Sequence, residues 1–270
     1  MPELPEVETV VRQLQAALPG TRIQKVVIHH PGRELPRGVD FIRALEGQTV
    51  RVIRRRAKLI LWEFEAGLMM IGHLKMTGRF VFVDPETPVH KHERISLVFE
   101  GGQEVRFADM RKFGYLRIHS EEEVAKILGG YGPEPLETST TDLADRLRTP
   151  VGRSIKGALL NQTVLAGCGN IYADEACFRA GVLPTRKLGE LSEGERRRVI
   201  EELKGILQES IDKRGTSESD YVDTKGEKGS FQNFLQVYGR GKKPCFKCGQ
   251  LIQKIVHVGR GTHFCGHCQK

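Results

Sequence analysis

The sequence predicts an α+β protein of two domains with a small cysteine-bearing appendage. Three observations carry this. Between residues 21 and 119, eight short apolar runs are separated by turn residues with no helical period among them, the texture of a β-sandwich or barrel-like core. Beyond residue 137, apolar residues recur at three- and four-residue intervals, the period of helices packed on one face. Two C-x2-C pairs, Cys245/Cys248 and Cys265/Cys268, lie near the end of the chain.

The first element is a helix. Val7, Val10, Val11, Leu14 and Leu18 repeat at helical spacing until Pro19-Gly20 stops them, and Pro5 suits the first turn, where a missing N–H costs nothing. The strand candidates follow as VVI (26–28), VRVI (50–53), LILWEF (59–64), LMMIGHL (68–74), FVFV (80–83), ISLVF (95–99), EVRFADM (104–110) and YLRI (115–118). Glycine and proline crowd the stretch 129–137 and mark a boundary, with residues 1–130 as the first domain and 131–137 as linker. Helical patterns cover 143–147, 155–160, 171–178 and 193–213 within a second domain of residues 138–230. From Gly215 to Ser230 that domain is polar and unpatterned and reads as a loop; residues 231–270 form the appendage.

Formal charge is +8, from 42 basic and 34 acidic residues, which favours a polyanionic partner. The excess is concentrated. No Asp or Glu occurs from Lys228 to Lys270, where eight Lys and Arg lie, and the other 34 basic residues balance the 34 acidic ones. No run approaches the ~18 apolar residues of a membrane span. Glu3, Glu6 and Glu8 stand where a signal peptide needs basic and then apolar residues, so the expectation is a cytoplasmic monomer with no membrane contact.

In that compartment the cysteine spacing reads as metal ligation rather than disulfide formation. Each C-x2-C pair puts two thiolates on one tight turn, and together Cys245, Cys248, Cys265 and Cys268 complete a tetrahedron of four sulfurs for one zinc ion. Four protein ligands leave no position for water, which makes the ion structural. Between the pairs, Gly259-Arg260-Gly261 suits a hairpin tip that presents Arg260 to a phosphate or a groove. Cys168 and Cys177 fit no spacing rule and read as ordinary packed thiols.

Pro2 follows the initiator methionine and is small enough for Met1 to be removed, which turns its nitrogen into a secondary amine. An α-amino group titrates near ~8 against ~10.4 for lysine, so a far larger share is unprotonated at neutral pH and able to attack an acetal or aldehydic carbon, giving an imine. Glu3 adjoins it, as a general acid or base must.

The opening MPELPEVET, the separate HLKMTG and DMRKFG segments, GNIYADE (169–175) and the finger sequence GRGTHFC resemble the bacterial formamidopyrimidine-DNA glycosylase family, across essentially the whole chain. The resemblance implies a bifunctional DNA glycosylase and class I AP lyase of base excision repair. Its expected substrate is damaged double-stranded DNA carrying oxidised purines, 8-oxoguanine opposite cytosine and formamidopyrimidines. It also implies the family's architecture: an N-terminal helix plus eight-stranded catalytic β-sandwich, a helix-two-turn-helix domain and a C-terminal β-hairpin zinc finger. Pro2 matches the nucleophile that attacks C1′ of a nucleotide flipped from the duplex, and Glu3 its proton donor. Lys58 matches the lysine carried over as proton donor for β-elimination. Arg260 matches the finger arginine that clamps the flanking phosphates and is credited with δ-elimination, though a permanently charged guanidinium suits clamping better. Met76, Arg111 and Phe113 match the three residues that fill the void left by the flipped base and read the orphaned cytosine. His92, Arg153, Lys156 and Asn170 match DNA-backbone contacts, Asn170 at a helix start where free amides face a phosphate. The loop 216–230 resembles the lesion-covering loop, with Tyr221 and Thr224 among its contacts.

Two other readings compete. Endonuclease VIII shares the fold and the proline but opens with a PEG-type sequence and carries its void fillers on one loop, unlike Leu4 and the separated Met76 and Arg111-x-Phe113 here. A non-catalytic zinc-ribbon protein explains the basic tail and leaves PELPEV, Lys58 and the void fillers without a role.

Overall fold

A computed structural model of the chain describes every residue except Gly32, Leu35, Glu218 and Ser219. The described residues fall into two compact units, Met1–Gly129 with Lys213–Ser230, and Gly130–Asp212 with Phe231–Lys270.

The first unit begins with α1 (Leu4–Ala17) and continues through β1 (Ile23–Ile28), α2 (Val39–Leu45), β2 (Val50–Arg56), β3 (Leu59–Phe64), β4 (Met69–His73), β5 (Gly78–Val83), β6 (Glu93–Phe99), β7 (Glu104–Asp109), β8 (Tyr115–His119) and α3 (Glu121–Gly129). All eight expected strands form. They pair antiparallel into two separate four-stranded sheets, β1-β6-β7-β5 and β2-β3-β4-β8, which makes the core a sandwich and not a barrel. Trp62 of one sheet meets Phe80 of the other at 5.7 Å between ring centroids, and Phe80 meets Phe107 at 5.1 Å. Val7, Val10, Val11 and Leu14 of α1 are buried in the same core. Each such side chain contributes about 1.5–3 kcal/mol by leaving water, which is why the helix stays on the sandwich.

Two helices appear where none was expected. α2 buries only Phe41 and Leu45, and α3 only Val124, too few apolar positions to establish a helical period. Residues Lys213–Ser230 also depart from expectation, since they belong to the first unit and not to the helical domain that flanks them in sequence. Hydrogen bonds to α1 and β5, described below, are the reason.

The second unit contains α4 (Thr140–Arg146), α5 (Ile155–Leu159), α6 (Asn170–Arg179), α7 (Glu193–Asp212) and the hairpin of β9 (Gln253–His257) and β10 (Arg260–Phe264). Ser139 and Ser154 cap α4 and α5, accepting the N–H groups of Asp142 and Gly157 at 3.1 Å each. Among the described residues no helix is long and apolar enough to cross a membrane.

Candidate active site and nucleic-acid interface

Pro2 and Glu3 are both buried at the start of α1, the positive end of the helix dipole. Glu6 locks this turn. Its Oε2 accepts the Glu3 backbone N–H at 2.8 Å, while its Oε1 accepts the Thr216 N–H at 2.7 Å. The Tyr221 hydroxyl donates to the Glu6 carbonyl at 3.3 Å. Two turns along the helix, Gln13 Oε1 accepts the N–H and the hydroxyl of Thr224 at 2.9 and 2.8 Å, and its Nε2 donates to Asp223 at 2.9 Å. The Thr224 carbonyl accepts the Phe82 N–H on edge strand β5 at 2.8 Å. The side chains of Tyr221 and Thr224 therefore anchor their own loop to α1. Residues 218 and 219 of that loop lie outside the described residues.

Lys58 forms, with Ala57, the two-residue turn between paired Arg56 and Leu59. Ala57 takes the left-handed conformation this turn requires, at φ 54°. The lysine is only 8% exposed and has no ion-pair partner among the described residues. His73, at the end of β4, shares its neighbourhood. Burial, then the positive charges of Lys75 and Lys58, push the imidazole down to about 3, so it is neutral at pH 7. Its Nδ1 accepts the Lys75 N–H at 3.0 Å, which leaves the ring proton on Nε2. Sequence reasoning did not single out His73. A histidine ending a strand beside a lysine, in HLK, was the available signal.

Met76 lies half-buried in the turn between β4 and β5; Arg111 and Phe113 lie exposed in the turn between β7 and β8, with the guanidinium carbon 5.0 Å from the ring centroid. Buried Asp109 joins the two turns. It accepts the Thr77 hydroxyl, the Arg111 N–H at 3.1 Å and the Gly114 N–H at 2.6 Å, and Thr77 Oγ1 also accepts the Arg111 N–H at 3.0 Å. Neither Thr77 nor Asp109 was named from sequence. His92 is half-buried beside a cleft of about 100 Å³ lined by Thr77, Arg79, Asp109 and Asp220.

In the second unit, the sulfurs of Cys245, Cys248, Cys265 and Cys268 all lie within 4.8 Å of one another. Cys245 and Cys268 are 3.9 Å apart and Cys248 and Cys265 3.5 Å, close to the ~3.8 Å between thiolates of a tetrahedral zinc site with ~2.3 Å bonds. The donor set fits one structural zinc. Val258 and Gly259, both at positive φ, form the hairpin tip, so exposed Arg260 opens β10 next to the tip and Gly261 is already in the strand.

Asn170, half-buried as the first residue of α6, donates from Nδ2 to the Gly261 carbonyl at 3.0 Å, next to Arg260 in sequence. Arg153 is half-buried just before α5. Lys156 departs from expectation: it is fully buried, and its ammonium donates to Asp174 at 2.6 Å, Thr262 Oγ1 at 2.7 Å and the Gly261 carbonyl at 3.2 Å. With all three donors engaged, it ties α5 to α6 and to the finger hairpin. Asp174 also accepts the His263 N–H at 2.9 Å. Its neighbour Glu175 accepts the N–H groups of Gln236, Val237 and Tyr238 at 2.8–2.9 Å. Cys168 and Cys177 are both buried, as ordinary packed thiols should be.

Two predictions follow from these groups. Lys156→Met should lower unfolding stability by about 3–5 kcal/mol by leaving Asp174 uncompensated, as measured by thermal melts followed by circular dichroism. A phosphate-contacting lysine would instead leave stability intact. For His73, the unfolded chain binds a proton below pH 6.5 and the folded chain does so only near 3, so this group's contribution to stability is lost as pH falls across that window. By pH 5 the loss is about 2 kcal/mol. His73→Gln should shrink the stability difference between pH 7 and pH 5 by that amount in urea unfolding monitored through Trp62.

Comparison with known proteins covers the chain in three parts. Residues 1–116 match the formamidopyrimidine-DNA glycosylase N-terminal domain, 131–221 its H2TH domain, and 242–270 the zinc finger found in FPG and IleRS. The formamidopyrimidine-DNA glycosylase of Listeria innocua is 41% identical over 275 residues, and that of Desulfitobacterium hafniense 43% over 274, each aligned over all of both chains. A Lactococcus lactis FPG mutant, G226P, crystallised with Fapy-dG-containing DNA, superposes with a TM-score of 0.92 at 35% identity over all of both chains. The Lactococcus lactis enzyme bound to abasic-site DNA gives 0.92 at 34% over 99% of each chain. The helical unit is thus an H2TH domain, the cysteine cluster its zinc finger, and the chain belongs to the formamidopyrimidine-DNA glycosylase family.

Proposed function

We propose that this chain excises oxidised purines from duplex DNA and then cuts the strand at the resulting abasic sugar. The observation that carries this reading is the buried Pro2–Glu3 turn: a nitrogen that becomes a secondary amine once Met1 is removed, held beside a carboxylate at the end of a helix locked by Glu6. The relatives crystallised with Fapy-dG and abasic-site DNA support the substrate class.

The chemistry balances on this chain's own groups. The Pro2 nitrogen attacks C1′ as the glycosidic bond breaks, Glu3 supplies a proton, and the base departs. The opened sugar is then held as an imine, whose C2′ proton is acidified. Losing that proton expels the oxygen at C3′, and losing the C4′ proton expels the oxygen at C5′, so the strand is cut on both sides. Hydrolysis of the imine frees the amine. Lys58, buried and without a carboxylate partner among the described residues, supplies a proton during β-elimination and holds an adjacent phosphate. Arg260 clamps phosphates flanking the lesion, a role suited to its forked, permanently charged group. Met76, Arg111 and Phe113 fill the vacated stack, with Arg111 donating to the orphaned cytosine. His92, Arg153 and Asn170 touch the DNA backbone. The zinc stabilises the finger and takes no part in bond cleavage. The enzyme acts as a cytoplasmic monomer on chromosomal DNA.

Borohydride added to the protein on duplex containing 8-oxoguanine opposite cytosine should trap a covalent adduct. Pro2→Gly should abolish it, and a parallel duplex with an oxidised pyrimidine should yield far less. Failure of zinc-loaded protein with a mass-verified Pro2 terminus to form the adduct would overturn the mechanism. Cys248→Ser should abolish DNA binding while Trp62, the single tryptophan and part of the sandwich core, keeps its native fluorescence.

A further inference from the structure

We propose that Lys75 and Arg117, packed about the ring of Tyr115, form an additional binding site for a backbone phosphodiester of the DNA, distinct from the contacts assigned to Lys58 and Arg260. The inference rests on the DNA-processing role proposed above.

Strand pairing builds the site. His73 lies opposite Tyr115, and Ile71 opposite Arg117, so Tyr115 and Arg117 share one face of edge strand β8. Lys75 follows β4 in the left-handed region, at φ 53°, a conformation that L residues other than glycine rarely adopt. The hydrogen bond from its N–H to His73 Nδ1, at 3.0 Å, holds it there. The Lys75 ammonium then lies 5.7 Å, and the Arg117 guanidinium carbon 4.5 Å, from the Tyr115 ring centroid.

What marks this group is two cations on one ring with no counter-charge between them. Several other arginines of the same unit are paired with carboxylates: Arg51 and Arg54 with Glu63, Arg55 with Glu8, and Arg106 with Glu93 and Glu104. Neither Lys75 nor Arg117 has a carboxylate partner among the described residues, and Arg117 Nε is buried without an acceptor. Burial and the nearby charges of Arg33, Arg117 and Lys58 hold Lys75 below the ordinary lysine range. Like charges gathered on one aromatic ring, with hydrogen-bond donors left over, are relieved by an oxyanion. A phosphodiester supplies two oxygens and one charge, matching one ammonium and one guanidinium.

Fluorescence anisotropy on duplex containing a tetrahydrofuran abasic analogue tests this, with log Kd plotted against log salt. Each neutralised phosphate contributes about 0.9 to the slope. Lys75→Met and Arg117→Gln should each reduce the slope, by about that amount when combined, and each should weaken binding several-fold at about 150 mM salt. Lys25→Gln, at an exposed position of β1, should not. Lys75→Arg, which keeps the charge, should keep the slope and so distinguishes lost phosphate contact from a disturbed turn if either neutral variant folds poorly. Slopes equal to wild type in both folded neutral variants would overturn the proposal. Failure of the wild type itself to bind this duplex or form the borohydride adduct would instead sink the broader functional reading.

Discussion

A carboxylate sealed from water must be given hydrogen-bond donors, and the way Glu6 receives two of them determines much of the first unit. One oxygen takes the amide at the start of α1 and the other takes the amide of Thr216, more than two hundred residues later. Hydrogen bonds to a charged group contribute about 1.5–3 kcal/mol each, and removing either donor would leave a charge poorly solvated. Gly215 records how close the approach is. Its φ is +83°, and a Cβ there would sit 2.9 Å from the Glu6 side chain. The N-terminal turn and the 213–230 segment are consequently one construction, so the residues proposed for bond cleavage are held by the same side chain that anchors the loop.

The two buried lysines show how burial alone fails to distinguish structure from function. Lys156 has every donor satisfied by Asp174, Thr262 and Gly261, which is the arrangement of a tie between elements. Lys58 is nearly as buried and has no carboxylate partner among the described residues, which leaves its charge available to a ligand. The neighbouring imidazole of His73 responds by staying neutral, since a further positive charge would add to the repulsion. Tested against counter-charge rather than exposure, the two lysines separate cleanly.

That distinction also marks where the sequence was legible. The eight strands were readable because alternation and turn residues are local, and the zinc ligands because each pair lies within four residues. Helices α2 and α3 were not readable, since one or two buried apolar residues make no period. The environment of Lys156 depends on Asp174, eighteen residues on, and on Thr262, more than a hundred residues on, which no local pattern reveals. The side-chain bonds of loop residues Tyr221 and Thr224 to Glu6 and Gln13 span more than two hundred residues, which no local pattern reveals either. Pro2 and Glu3 were legible from the chemistry of a terminal secondary amine beside a carboxylate, and Arg260 from its flanking glycines, whereas Lys58 was named through the family motif, because a lysine at a strand end carries no chemical signature of its own.

Asp109 extends the same principle to the proposed void fillers. Met76 and the Arg111–Phe113 pair stand on turns more than thirty residues apart in sequence, and independent turns would have to be ordered separately when DNA binds. The Asp109 carboxylate removes that requirement by accepting from Thr77 on one turn and from Arg111 and Gly114 on the other. Arg94 donates twice to the Asp109 carbonyl, at 2.9 and 3.0 Å, fixing the backbone from behind. The ordering entropy is therefore met during folding, before any nucleic acid arrives. A flexible thioether and an exposed aromatic ring can then meet DNA as a single preformed wedge, because the polar atoms beneath them leave their turns few other arrangements.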